Sequence, residues 1–283
     1  LHEVVVGKEI DSLYLVFEFV EHDLAALIDS VRTPFSESEV KCLMIQLLNA
    51  VEYLHSHWII HRDLKLSNLL FTNRGELKLA DFGLARLFGK PLRQLTPKVV
   101  TLWYRGPELL LGSDSYTTSL DMWAVGCIFG ELLQGRPVFT GKSEMDQLQQ
   151  IFALLGSPSD RIWPGFSKLP YAKKININEP YNNLRLKFPR LSNEGHDLLN
   201  RMLTYDPAKR ITAAEALKHP YFKERPLAKD PTMMPTFPVR RDHTTDNKGK
   251  RKYEGDVGRH QDAFDKFDRF NGDVFADQPR KRR

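Results

Sequence analysis

Residues 61–83 read HRDLKLSNLLFTNRGELKLADFG, and the rest of the chain can be arranged around them. Asp63, Lys65 and Asn68 stand two and three residues apart on a polar stretch that the apolar run Leu69 to Phe71 closes. Thr72 to Gly75 carries turn residues, and Glu76 to Ala80 alternates polar and apolar side chains up to Asp81, Phe82 and Gly83. This pattern predicts a strand on each side of the turn. A loop, strand, turn and strand of that length doubles back, so Asp81 returns beside Asn68.

Phosphoryl transfer needs this set of groups. The transferred group spreads negative charge over its oxygens, so a protein supplies metal ions, a cation and an acceptor for the hydroxyl proton. Asp81 and Asn68 offer hard oxygen ligands suited to magnesium, Asp63 is the candidate base and Lys65 the candidate cation. Either HRD or DFG alone reads as an accident of a charged loop. Both together, in this order and with Asn68 five residues after Asp63, resemble the signature of eukaryotic protein kinases. The lysine in HRDLKLSN resembles the serine/threonine class.

The resemblance implies an α+β, protein-kinase-like fold: a mainly helical large lobe with a two-strand remnant of the small β lobe. It implies ATP and Mg2+ as cofactors. Asp63, Lys65 and Thr101 become the catalytic group, with Thr101 bracing the other two, and Asn68 and Asp81 the metal ligands. Glu18, Phe19 and Val20 resemble the hinge whose backbone pairs with adenine. Phe17 backs the pocket, Asp23 reaches ribose, and Leu70 completes the nucleotide contacts.

Outward from the motif, Ser36 and Glu39 form a capping box ahead of Val40, Leu43, Met44, Leu47, Leu48, Val51 and Leu54, which recur at helical spacing. Leu120 to Leu133 is apolar nearly all round and reads as a buried central helix. Its Asp121 matches the family residue that holds the backbone of the catalytic loop. Ser192 and Thr212 are N-cap residues of two further helices, the second completed as a box by Glu215. Glu108 and Arg210 are expected to form a buried ion pair. Gly106 stands where the family usually has Ala, which predicts slightly looser packing.

In the segment Leu84 to Glu108, Thr96 is the candidate regulatory phosphorylation site, its phosphate pairing with Arg62 and Arg86. Val99, Val100 and Arg105 resemble the pocket that accepts proline after the target Ser or Thr. The runs VEHDL, TPKVVTLWYR, GKSEMDQ and PYNNLR are most similar to cyclin-dependent kinases of the PITSLRE branch. The partners so implied are a cyclin and protein substrates with Ser/Thr-Pro sites. A catalytically silent docking module is the alternative.

Composition sets the outer bounds. The chain has 283 residues, 41% hydrophobic and 27% charged, which is ordinary for a soluble protein. No apolar run reaches the roughly 18 residues that cross a bilayer, so no membrane partner is expected. Two cysteines are too few for a disulfide scaffold and point to a reducing compartment. The net charge of +5 sits mostly in residues 240–283, where 13 Lys and Arg face 9 Asp and Glu. The domains expected are 1–20, small-lobe remnant and hinge; 21–225, large lobe; 226–239, post-domain extension; and 240–283, a disordered basic tail. KGKRK and PRKRR in that tail suggest the nucleus, alongside cytoplasm, and a nucleic-acid partner is not expected. Opening at Leu1 on two strand-like runs, the chain shows no glycine-rich phosphate loop, strand lysine or partner glutamate. It is therefore expected to be a partial sequence with negligible turnover by itself.

Overall fold

The helix-start signal at Ser36 is used as read. In the computed structural model a capping box at Ser36 and Glu39 opens α2 (Glu37–Ser56), the Ser36 N–H donating to Glu39 Oε2 at 2.8 Å. Residues 1–7, 12–30, 35–88, 100–113, 117–175 and 179–239 are described, all inside the unit Leu1–Lys250. The chain begins with an antiparallel pair, β1 (Glu3–Val6) and β2 (Leu13–Val16), in the register Glu3 to Val16. β3 (His22–Asp23) follows and runs directly into α1 (Leu24–Ser30).

After α2 come β4 (Ile59–Ile60), β5 (Leu69–Phe71), β6 (Leu77–Leu79) and β7 (Arg86–Leu87). They form two antiparallel ladders, β3-β5-β6 and β4-β7. The remaining helices are α3 (Pro107–Leu110), α4 (Ser119–Gln134), α5 (Glu144–Leu155), α6 (Leu184–Lys187), α7 (Asn193–Met202) and α8 (Ala213–Leu217). The α+β, mainly helical architecture expected from the motif is the one found.

The core lies where α4 crosses α2 and α7. Every residue from Ser119 to Leu132 is buried, and α2 brings Val40, Leu43, Leu47 and Val51 to the contact at 0% exposure. Burying each of these side chains contributes about 1.5–3 kcal/mol. Two acidic groups in α4 are buried with it, Asp121, which holds the catalytic loop, and Glu131, which accepts from Tyr104. Gly135, in the left-handed region at φ 69, ends the helix by returning its N–H to Glu131 O at 2.8 Å. Ser192 and Thr212 cap α7 and α8 through the N–H groups of Gly195 and Glu215.

Residues beyond 225 stay packed against α2. Lys41 is fully buried on α2, its Nζ donating to the carbonyls of Glu224 and Pro226 at 3.1 and 2.9 Å. Lys229 adds a backbone bond to Ser38 O and an ion pair to Glu39, each at 2.9 Å. No helix among the described residues is long and apolar enough to cross a membrane.

Candidate active site

Two supports hold the loop that carries Asp63. From below, the Asp121 carboxylate accepts the backbone N–H groups of His61 and Arg62, each at 2.9 Å, and it meets His55 Nε2 at 2.9 Å. From the side, the His61 ring accepts the Asp63 N–H on Nδ1 at 3.3 Å and reaches Ala80 O through Nε2 at 3.2 Å. A ring that accepts at Nδ1 is neutral with its proton on Nε2, and burial pushes the His61 pKa down in keeping with that. His61 also lies 4.9 Å, edge to face, from Phe82.

Asp63 is 6% exposed and fully engaged. Its Oδ1 accepts from Thr101 Oγ1 at 3.0 Å and from the Thr101 N–H at 3.3 Å; its Oδ2 meets Lys65 Nζ at 3.0 Å and Asn68 Nδ2 at 3.2 Å. Lys65 closes the ring by donating to Thr101 Oγ1 at 3.2 Å. Asp63, Lys65, Thr101 and Asn68 are thus one cluster, as the resemblance implied. The strands bring the chain just before Asp81 to this cluster: β5 pairs with β6, and the Ala80 N–H donates to Asn68 O at 2.9 Å, while Asp81 Oδ1 accepts from the Gly83 N–H at 3.2 Å.

The donor set fits a magnesium ion. Asn68 donates its Nδ2 to Asp63 O, at 2.8 Å, and to Oδ2, so Oδ1 is the oxygen it could offer a metal. The Asp81 carboxylate is exposed, and the residue is held in the left-handed region at φ 61. Magnesium keeps several waters or phosphate oxygens and takes only one or two side-chain oxygens from a protein. Four non-glycine residues among those described have positive φ, and Arg62, Asp81 and Val100 are three of them. Backbone strain of about 1–3 kcal/mol per residue is thereby concentrated at the site.

The nucleotide-side residues are placed less tightly. Asp23 and Leu70 face each other across the β3–β5 pair, and Asp23 Oδ1 caps α1 through the Ala26 N–H at 2.7 Å. Val20 is half-buried beside them, but Phe17 is 61% exposed and the Glu18 carboxylate pairs with Lys78 at 3.1 Å. On the substrate side, Val100 stands at φ 69, and its carbonyl accepts from Arg105 Nε and Nη2 at 3.3 and 3.0 Å. Arg62 Nε binds Leu84 O at 2.6 Å, and Arg86 lies exposed opposite Ile60. Thr96 and Val99 lie outside the described residues.

Below the site, Arg210 and Glu108 pair through two bonds of 2.7 and 3.0 Å, as expected. The looser packing expected at Gly106 is not found. A methyl there would fall 2.7 Å from Glu108 Oε2, so the carboxylate of the ion pair occupies that space. Two supports escaped the sequence reading: His55 on Asp121, and Tyr104 donating to the buried Glu131 at 2.7 Å. Neither residue stands out by spacing or composition.

Comparison with known proteins follows the same lines. Residues 4–222 match the protein kinase domain model. Mouse cyclin-dependent kinase 10 is 56% identical over 242 residues, covering 85% of this chain and 67% of that protein. The chain belongs to the cyclin-dependent kinases of the protein kinase family. A probable cyclin-dependent kinase 10 of Dictyostelium discoideum is 60% identical over 84% of this chain and 66% of its own length. Human cyclin-dependent kinase 11B is 54% identical over 92% of this chain, which spans 33% of that longer kinase. In the crystal structure of the yeast RNA polymerase II CTD kinase CTDK-1 complex, a chain 38% identical superposes with a TM-score of 0.77, over 82% of this kinase and 77% of that chain.

Proposed function

We propose that this kinase transfers the γ-phosphoryl group of ATP to Ser or Thr followed by proline, in partnership with a cyclin. The Asp63–Lys65–Thr101–Asn68 cluster carries the reading. Asp63 accepts the proton of the substrate hydroxyl, and Thr101 and Lys65 fix the carboxylate where that hydroxyl arrives. Lys65 then faces the charge that grows on the transferred group. Asn68 and Asp81 would hold magnesium, which when bound neutralises charge on the phosphate oxygens.

Proline specificity is supported by Val100. Its left-handed backbone turns the carbonyl to Arg105, so the residue after the target hydroxyl finds no acceptor there for its N–H. A buried unsatisfied N–H costs about 1–3 kcal/mol, and proline has none. The 283 residues contain no glycine-rich phosphate loop, and positioning is most of this catalysis, so the chain by itself is assigned negligible turnover.

Fusing the small lobe of a relative ahead of Leu1, adding a cyclin and supplying labelled ATP tests the assignment. A Ser-Pro peptide should be phosphorylated well and its Ser-Ala counterpart poorly. Asp63→Asn should slow transfer by about a hundred- to ten-thousand-fold, with the fold intact. Inactivity of the cyclin-bound fusion, or equal use of both peptides, would overturn the corresponding half of the reading.

A further inference from the structure

Beyond the catalytic loop, the stretch after Pro226 has no role in the function described so far, yet it ends in a built seat. Phe237 is clamped by one side chain: its N–H donates to Asn73 Oδ1 at 2.9 Å, and its carbonyl accepts from Asn73 Nδ2 at 3.1 Å. An amide side chain that takes both backbone groups of one residue imitates a strand partner. The same Oδ1 lies 3.2 Å from His22 Nε2. The Phe237 ring stands edge-on to His22, Phe35 and Phe71, with centroids 6.0, 6.4 and 6.4 Å away.

Earlier anchors lead the chain to this seat. Lys41 and Lys229 tie residues 224–229 to α2. The backbone then crosses the β5–β6 turn at Gly75, where a Cβ would fall 1.8 Å from Pro231 O. Only glycine lets the two backbones approach so closely, and φ +79 at Gly75 needs it as well.

The seat bears on the nucleotide side through strand geometry. His22 pairs with Phe71 and Asp23 with Leu70. Successive residues on a strand point to opposite faces, so His22 and Phe71 share one face of the β3–β5 pair while Asp23 and Leu70 share the other. Phe237 packs on the first face. β3 is only two residues long, and its position rests on few bonds of its own.

We propose that Phe237 is a positioning residue for the nucleotide: residues 226–239 form a strap whose last aromatic ring backs the β3–β5 pair and holds Asp23 and Leu70 at the cleft. The inference rests on the reading of Asp23 and Leu70 as nucleotide contacts. It gives the segment after α8 a part in substrate binding.

Hydrogen–deuterium exchange and titration with mant-ADP and magnesium, on the full chain, test it. Phe237→Ala should speed exchange of the β3 and β5 amides about tenfold while amides 61–68 keep their protection, and it should weaken mant-ADP about fivefold. Phe237→Tyr should restore both. If the alanine variant does not fold, Asn73→Ala, which opens the clamp and leaves the ring in place, should give the same pattern in smaller measure. Unchanged β3 and β5 exchange, or unchanged mant-ADP affinity in a folded variant, overturns the proposal. If the starting chain, which has no phosphate loop, binds no mant-ADP, exchange at β3 and β5 decides the proposal by itself, and unchanged exchange in Phe237→Ala overturns it.

Discussion

Asp63, Lys65 and Asn68 are polar and 6–8% exposed, whereas Val4, Tyr14, Leu15 and Phe17 are apolar and 50–61% exposed. Each region inverts the usual partition of side chains between core and water. The catalytic loop tolerates the inversion because every buried polar group has a partner: Thr101 and Asn68 for Asp63, and Asp121 for the backbone at His61 and Arg62. The β1–β2 hairpin has its ladder bonds and little else, since apolar area left in water contributes nothing to the hydrophobic term. Stability and preorganisation therefore reside in the large lobe, with the catalytic loop as an extension of its core. Substitutions should be felt less the farther they lie from that core.

The largest effect should come from the ion pair that ties α3 to the loop after α7. Glu108 and Arg210 are 3% and 0% exposed at the side chain, and Arg210 also donates to the carbonyls of Ser119 and Thr204 at 2.7 and 2.9 Å. Glu108→Ala leaves the guanidinium buried without its counter-charge, and urea unfolding should register a loss of about 3–5 kcal/mol. Removing both charges together, as Glu108→Leu with Arg210→Met, should cost less than Glu108→Ala alone. A single variant as stable as the parent would mean that water reaches this pair.

Much of this core was legible because its signals are local. Ser36 with Glu39 and Thr212 with Glu215 are boxes four residues long, and each caps the helix it announces. Asp63, Asn68 and Asp81 were legible through spacing, since a turn between two short strands leaves little choice of where the second one returns. The strap was not legible. Its anchors are a lysine, Lys41, within an apolar helical run and an asparagine, Asn73, in a turn, and each has its ordinary reading as a solvated residue. Only the tertiary fold reveals what they bind. The β4–β7 pair is equally silent, because two residues per strand show no period. Phe17, expected at the back of the nucleotide pocket, is 61% exposed among the described residues, and strand alternation alone does not report what covers a face.

An intermediate effect should follow pH through His61. Burial lowers its pKa from the ordinary 6.5. A histidine depressed in the folded state binds its proton more readily when unfolded, so its contribution is complete above the unfolded value and is lost as pH falls below 6.5. The ring would then carry a proton on Nδ1, facing the Asp63 N–H it now accepts. Between about pH 6.5 and 5, above the range of ordinary carboxylates, stability should fall by up to about 1.4 kcal/mol per unit from this one group. His196, also depressed by burial, adds a slope of the same sign. His61→Phe should flatten the profile by one group's share, and an unaltered profile would mean that folding does not make His61 harder to protonate.

The smallest effect should come from the hairpin, and it is the sharpest test of the contrast. Tyr14 and Leu15 point to opposite faces of β2 and are 61% and 51% exposed, so neither face of the ladder is covered by the described residues. Tyr14→Ser and Leu15→Thr, made singly, should change the unfolding free energy by no more than about 0.5 kcal/mol. Leu43→Ala, at a position of 0% exposure in α2, should cost about 2–5 kcal/mol in the same urea series. A loss above about 1 kcal/mol from either hairpin variant would mean that the hairpin is packed in solution. Its apolar faces would then be part of the stabilising core, and the contrast between the two regions would fail at the hairpin's end.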